Sequence, residues 1–176
     1  MDKQLIIGSP SGAIQLFATA DASFVRGGDS KAQQGYHLFL SEDSGAILSK
    51  SQKDKNVSIS SFHSELNALV EAAKAVVFSR GLLEELGYKP HEPSIIYQDN
   101  VSVIQASTSL GNDQRTKYLI TKLNFINDLI EQRTIHLRYL PTEKNCADLN
   151  TKALLQDSTT RFTTMVLTGV SNYTSP

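Results

Sequence analysis

The sequence is poor in cysteine, since Cys146 is the only one among 176 residues. One cysteine cannot form a disulfide within the chain, so the fold is predicted not to depend on an oxidising compartment, and a cytoplasmic site is expected. His37, His91 and His136 show no ligand spacing with a cysteine pair, which argues against a zinc site. Cys146 is therefore predicted to be a small packing residue and not a nucleophile.

Long apolar runs are also missing. The stretch 72–78 is broken by Lys74 and falls far short of the ~20 residues that a membrane span requires. The N-terminus lacks the basic segment and apolar run of a secretory signal. The sequence therefore predicts a protein that neither spans a membrane nor is secreted.

A basic excess is the third feature that the chain lacks. Its 17 lysines and arginines are balanced by 18 acidic residues, which gives a net charge of −1. Autonomous nucleic-acid binders usually carry a strong basic surplus. If this chain binds nucleic acid, the affinity must come from local clusters such as Arg115 and Lys117, from metal ions or from a neighbouring domain.

The composition that is present, 40% apolar and 20% charged residues, is typical of one globular domain at this length. Apolar periodicity and turn residues predict strands over 13–20, 35–40 and 46–50, a helix over 61–86 ended by Gly87 and Pro90, a strand over 94–98, helices over 100–107 and 115–131, and a strand over 134–140. A further helix is expected after Asn145 and another over 157–168. This order predicts an α/β fold, with three strands in an antiparallel meander and a mixed sheet flanked by helices.

Four acidic residues fall near the ends of these predicted elements: Asp21, Glu65, Asp99 and Asp148. Strand ends and facing helix starts collect at one edge of an open sheet, so the four carboxylates are predicted to converge there. Hard divalent cations prefer carboxylate oxygens and neutralise such a cluster, and two Mg²⁺ ions about 3.5–4 Å apart are suited to phosphodiester hydrolysis. Acidic residues are also common at helix starts and turns, so spacing alone leaves a purely structural role open.

Short motifs around these acids resemble the ribonuclease H (RNase H) domain of copia-type LTR retrotransposons. The resemblance runs from about residue 16 to residue 154, and the motifs occur in the family's order. They are TADAS at 19–23, QGYHLF at 34–39, SSFHSELNAL at 60–69, YQDN at 97–100, RTK at 115–117, YLPTE at 139–143 and ADLNTK at 147–152.

The resemblance implies an RNase H-like fold with a five-stranded mixed sheet, and Mg²⁺-dependent endonucleolytic hydrolysis of the RNA strand of an RNA–DNA hybrid, with Mn²⁺ as a substitute ion. Asp21 would bridge two ions, Glu65 and Asp99 would complete one ion's site, and Asp148 the other's. It also implies a polyprotein in which a reverse transcriptase precedes this domain, inside retrotransposon particles. Residues 1–12 are then the expected linker, 13–154 the RNase H domain and 155–176 a C-terminal helix and tail.

Contacts with the hybrid are expected through its shape and its 2′-hydroxyls. Serine and asparagine beside the acids are equally suited to capping a helix or turn, and the histidine of SSFHSELNAL is expected to be exposed at the helix start, with or without a function. The candidate contacts are Ser61, His63, Asn100, Ser102, Arg115 and Lys117.

Two departures from the family pattern concern histidine. Tyr118 stands where relatives often have histidine, and none lies between Leu140 and Asp148, so the loop histidine of cellular and retroviral relatives has no counterpart. Two other functions stay open: a degenerate RNase H-like module that binds without cutting, and a different nuclease on the same fold. The near-neutral charge is explained if a polymerase partner grips the hybrid.

Overall fold

A computed structural model describes residues 4–8, 14–24, 31–55, 57–58, 60–109 and 117–170 of the chain. The predicted order of strands and helices is confirmed. The elements are β1 Phe17–Ser23, β2 Gln33–Phe39, β3 Ala46–Lys53, α1 Ser61–Glu85, β4 Ser94–Gln98, α2 Val101–Thr108, α3 Lys117–Glu131, β5 Ile135–Tyr139, the 3₁₀ turns Thr142–Lys144 and Cys146–Asn150, and α4 Gln156–Thr168.

The strands form one mixed sheet in the order β3-β2-β1-β4-β5. β1, β2 and β3 pair antiparallel as the predicted meander, and β4 and β5 continue the sheet parallel to β1. The five-stranded mixed sheet expected from the sequence is confirmed. Its central strand β1 is almost entirely buried, because layers of structure cover both faces.

Side chains on the two faces of the sheet enter two separate cores. On one face, Ala18 and Leu38 pack with apolar residues of α1, α2 and α3. On the other face, Phe17 stacks on the ring of Phe39 at a centroid distance of 4.6 Å, and α4 adds Phe162 to the same cluster. Helix α4 lies beyond the domain boundary expected at residue 154, and it contributes to this core.

The long helix α1 begins and ends at sequence signals. The Ser60 side chain accepts a hydrogen bond from the backbone N–H of His63 at 3.1 Å, which caps the helix start. At the other end Gly87 adopts a φ of 87°, and the backbone N–H of Tyr88 donates to the carbonyl of Leu83 at 2.8 Å. This glycine-based cap is favourable because a side chain would strain a positive φ, and it confirms the stop predicted at Gly87.

Two elements differ from the sequence prediction in ways that matter for the acids. β1 runs over Phe17–Ser23, whereas 13–20 was predicted, and residue 13 lies outside the described residues. Pairing with β2 continues through Asp21 and Ala22, so Asp21 lies inside the strand. The helix expected after Asn145 is a five-residue 3₁₀ turn. Asparagine side chains at its two ends bond to the sheet, which leaves no length for an α-helix: Asn145 Nδ2 donates to the carbonyl of Ala20 at 2.9 Å, and Asn150 Nδ2 to that of Tyr36 at 3.3 Å.

The segment 4–8, expected as part of a linker, lies against the end of the sheet. The backbone N–H of Ile6 donates to the carbonyl of Leu167 at 2.8 Å, and the N–H of Gly45 donates to the carbonyl of Ile6. Among the residues that the structure describes, no helix combines the length and the apolar character needed to cross a membrane.

Candidate active site

Parallel pairing of β1 with β4 brings two of the predicted acids to the same edge of the sheet. Asp21 lies near the end of β1, and Asp99 follows directly after Gln98, the last residue of β4. Glu65 approaches from the second turn of α1. Carboxylate oxygens of these three residues lie within 4.8 Å of one another, so the predicted convergence holds for Asp21, Glu65 and Asp99.

The fourth acid, Asp148, stands beside this group and is joined to it by a lysine. Lys152 Nζ donates to Asp148 Oδ1 at 2.7 Å and to Asp21 Oδ1 at 3.2 Å. The 3₁₀ turn that carries Asp148 sits over β1, where Asn145 fixes it to the strand. All four acids that the sequence predicted therefore belong to one neighbourhood, with Asp148 at its side.

Burial and mutual repulsion raise the pKa of three carboxyl groups, those of Glu65, Asp99 and Asp148. The pKa of Glu65 rises to about 9, mainly through burial and then through the charges of Asp21 and Asp99. Burial is also the first cause of the raised pKa of Asp99 and of Asp148, which reaches about 6. A site that disfavours negative charge in this way gains most from a bound cation.

The donor atoms fit a hard divalent cation. All are carboxylate oxygens, the ligands that Mg²⁺ and Mn²⁺ prefer. One oxygen of Glu65, Oε2, is buried and has no hydrogen-bond partner among the described residues. Because an unsatisfied buried acceptor is unfavourable, this oxygen is suited to coordinate a cation.

Three residues of the site escaped residue-by-residue prediction. Thr142 Oγ1 donates to Asp99 Oδ2 at 2.7 Å, Thr151 Oγ1 donates to Asp21 Oδ2, and Lys152 bridges two acids as described above. Thr151 and Lys152 end the ADLNTK motif, which was the available signal in the sequence. Thr142 lies in the YLPTE motif, but its contact with Asp99, 43 residues away, is not visible in the sequence.

The candidate hybrid contacts have mixed surroundings, and their role toward nucleic acid stays a prediction. The Asn100 side chain accepts a hydrogen bond from the N–H of Val103 at 3.2 Å and caps α2, which is the capping role expected as an alternative to contact with the hybrid. Ser61, Ser102 and Lys117 are exposed at the starts of α1, α2 and α3. Arg115 lies outside the described residues.

The expectation that His63 is exposed is wrong. The side chain is buried, and its ring meets the edge of the Tyr118 ring at a centroid distance of 5.6 Å. Burial, followed by the charge of Lys122, lowers the pKa of this histidine. Helix α3 covers it, which a pattern read along α1 alone does not reveal.

A cleft of about 310 Å³ between β3, α1 and α3 gathers basic residues, although the chain as a whole is near neutral. Glu71 in the cleft pairs with Lys74 at 2.8 Å and with Lys50 at 3.8 Å. The lysines that line it outnumber its two acids, Asp54 and Glu71. These lysines are Lys50, Lys53, Lys55, Lys74 and Lys122.

Cys146 is buried, and its thiol lies 3.4 Å from Thr19 Oγ1. Burial raises its pKa to about 12, so the thiol stays protonated near neutral pH. The predicted packing role is confirmed, and the chemistry of this site rests on the carboxylates.

Solved structures with a similar fold include RNase H proteins. LC11-RNase H1 from a compost metagenome superposes with a TM-score of 0.60 at 16% identity, covering 78% of this chain and 92% of that one. The fold is that of ribonuclease H. The N-terminal RNase H domain of rv2228c from Mycobacterium tuberculosis gives a TM-score of 0.59 at 16% identity, covering 86% and 97% of the two chains.

Relatives by sequence are retrotransposon polyproteins. The chain is 28% identical over 124 residues to the retrovirus-related Pol polyprotein of transposon TNT 1-94 from Nicotiana tabacum, and 25% identical over 154 residues to that of transposon RE1 from Arabidopsis thaliana. These matches cover 70% and 87% of this chain but only 9% and 10% of the polyproteins. No family model matches the sequence. The RNase H fold and the relationship to copia-type and Ty1-type Pol polyproteins agree with the resemblance read from the motifs.

Proposed function

We propose that the chain is a ribonuclease H that hydrolyses the RNA strand of RNA–DNA hybrids, with Mg²⁺ as its cofactor, during reverse transcription of an LTR retrotransposon. The supporting observation is the meeting of three buried or half-buried carboxylates, with Asp148 beside them, at the edge of an RNase H sheet. A fold hosts many functions, so the argument rests on this cluster. The copia-type relatives support the polyprotein context, and a location in cytoplasmic retrotransposon particles is part of the proposal.

The four acids would hold two divalent ions, and neighbouring side chains would position the acids. Two divalent ions, when bound, would supply an activated water on one side of the phosphorus and stabilise the leaving oxygen on the other. Asp21 is central and reaches both halves of the cluster, while Glu65 and Asp99 hold one half and Asp148 the other. Thr142 fixes the Asp99 carboxylate, and Gln98 Oε1 accepts the backbone N–H of Asp99 at 2.8 Å. No protein nucleophile is needed.

Replacing Asp99 with asparagine tests the reaction. The parent is expected to cleave labelled RNA–DNA duplex in Mg²⁺ and to leave RNA–RNA and DNA–DNA duplexes intact. In Asp99→Asn the rate should fall by about a hundredfold or more, because even the outer partners of metal ligands contribute about 10–100-fold. Asp128→Asn, an exposed position on α3, serves as the matched control and should cleave like the parent.

The alternatives have distinct outcomes in the same assay. Hybrid binding without cleavage by the parent would identify a binding module that does not cut. Cleavage of DNA–DNA duplex would indicate another nuclease on this fold. Either outcome contradicts the proposal.

We also propose that the substrate reaches the site with the help of a reverse transcriptase domain of the same polyprotein. One structural neighbour, prototype foamy virus protease-reverse transcriptase, gives a TM-score of 0.57 at 14% identity, and the match covers 21% of that longer chain. The net charge of −1 supports the proposal, since a domain that bound hybrid tightly alone would be expected to carry a basic surplus. A tight, salt-insensitive complex of the lone domain would argue against it.

The cleft lined by five lysines between β3, α1 and α3 is the expected local site of contact with the phosphates of the hybrid. Changing both Lys55 and Lys122 to glutamine should weaken hybrid binding and lower the slope of log affinity against log salt by roughly 1 per lysine that contacts a phosphate. Fluorescence anisotropy at several salt concentrations measures both quantities. Lys89→Gln is the matched control, because this lysine pairs with Glu84 on the opposite end of α1. An unchanged salt slope in the double variant would place the hybrid elsewhere.

A further inference from the structure

Lys152 places an ammonium group inside the acidic cluster. Its Nζ lies 2.7 Å from Asp148 Oδ1 and 3.2 Å from Asp21 Oδ1, so one positive charge serves two carboxylates. The Asp21 carboxylate is 1% exposed, and the Lys152 side chain is 33% exposed. A buried carboxylate is thus paired with a lysine that keeps access to solvent.

The two halves of the cluster differ in what their oxygens contact. In the half formed with Asp148, both oxygens of Asp21 already have donors, since Lys152 donates to Oδ1 and Thr151 to Oδ2. In the other half, Glu65 Oε2 has no hydrogen-bond partner among the described residues. One half is therefore filled by the chain itself, whereas the other presents an oxygen without a donor.

We infer that Lys152 is a built-in cation that occupies the Asp21–Asp148 half of the site and must leave it before a divalent ion binds there. The inference rests on the proposed function, because it assigns Lys152 a role toward the ions of that same site. An ammonium and a divalent cation cannot share the same two oxygens without strong repulsion. Binding is consequently ordered, with the first ion at Asp21, Glu65 and Asp99 and the second ion at Asp148.

The chemistry of lysine suits this exchange. Its ammonium is a compact point charge on a flexible four-carbon stem, so it can withdraw toward water without moving the backbone. Lys152 follows Asp148 by four residues and directly follows the 3₁₀ turn and Thr151, which leaves the stem next to solvent. If Lys152 only stabilised this segment, its removal would leave the affinity for divalent cations unchanged or lower it.

Calorimetric titration with Mn²⁺ distinguishes the two roles without any substrate. The parent is expected to show one stronger and one weaker binding event. In Lys152→Met the weaker event should strengthen by roughly tenfold or more, which is the effect of losing a competing charge-assisted hydrogen bond. The melting temperature of the same variant in EDTA should fall, and Mn²⁺ should restore it. Lys89→Met, far from the acids, should match the parent in both measurements.

Chemical labelling of the unmodified chain gives a second, independent measurement. Acetylation of Lys152 by an amine-reactive reagent, followed by mass spectrometry, is expected to be slow in EDTA and faster in Mn²⁺, with Lys89 as the internal reference. If the affinity of the weaker binding event is unchanged in Lys152→Met, or if Mn²⁺ leaves the labelling rate of Lys152 unchanged, the inference about Lys152 is overturned while the proposed function stands. A parent that binds no divalent cation at all would overturn the proposed function as well.

Discussion

Glu65→Gln is expected to remove hybrid cleavage and, at the same time, to stabilise the metal-free protein. Glutamine keeps the shape of glutamate but cannot supply a charged ligand, so the cleavage rate should fall by about a hundredfold or more. In EDTA at pH 8, the free energy of unfolding should rise by at least about 1 kcal/mol, or ~2–4 °C in melting temperature for a chain of this size. The reason is the buried position of Glu65 among other acids.

The pH dependence of that gain follows from the pKa of Glu65. Its ordinary value is 4.5, and in the folded protein it is about 9. Between these values the folded state holds a proton that the unfolded chain has released, so the free energy of unfolding falls as pH rises from 4.5 to 9. The Glu65→Gln variant lacks this dependence, so its gain over the parent should grow from almost nothing at pH 4.5 to a large value at pH 8.

Thermal unfolding in EDTA across this pH range measures the effect. Glu85→Gln removes the same charge at an exposed position on α1 and is expected to change neither stability nor cleavage. A Glu65→Gln variant with the parent's stability at pH 8 would show that the carboxylate is better solvated than its surroundings indicate.

Gly35→Ala is expected to damage the site from a distance. Gly35 pairs with Asp21 across β1 and β2, and the turn that carries Asp148 lies against it. A methyl group there would overlap with the Asn150 side chain. It would also lie 3.0 Å from Thr151 Cγ2 and 3.3 Å from the carbonyl oxygen of Ala147. Because backbone must move to make room, we expect a loss of about 1–3 kcal/mol in stability.

Displacement of this turn should also slow cleavage. A shift of about 1 Å in a catalytic group can lower a rate about a hundredfold, so Gly35→Ala is expected to lose between about ten- and a hundredfold in hybrid cleavage while remaining folded. Gly81→Ala is the matched control: it lies in α1 with open space around it and should stabilise the helix by about 0.5–1 kcal/mol. Parent-like cleavage by Gly35→Ala would show that the turn tolerates the displacement.

The sequence predicted those parts of the fold that depend on local chemistry. Gly87 ends α1 because a positive φ suits glycine, and the turn-rich segment 41–45 separates β2 from β3. The predicted end of β1 was wrong because pairing with β2 determines where the strand ends. Polar residues such as Asp21 are also not typical of a buried strand. The 3₁₀ form of the turn around Asp148 also depends on tertiary contacts, through Asn145 and Asn150.

The candidate site shows the same division. The four acids were recognisable from motifs that lie around each of them in the sequence. The hydroxyl of Thr142 was not, because its partner Asp99 lies 43 residues away. Lys152 lies four residues after Asp148, but its second contact, with Asp21, spans 131 residues and is not visible in the sequence. His63 was expected to be exposed because the helix that covers it, α3, is more than fifty residues further along the chain.

The bridge between Lys152 and Asp21 also bears on how the protein comes into being. The two residues are 131 positions apart, so the catalytic cluster closes one of the longest loops in the chain. Contacts of such high sequence separation form late and slow folding. During synthesis, Asp148 and Lys152 are added after β5, so a nascent chain that has reached only α3 lacks both residues. The proposed nuclease activity therefore requires the segment after β5 to have docked on the sheet.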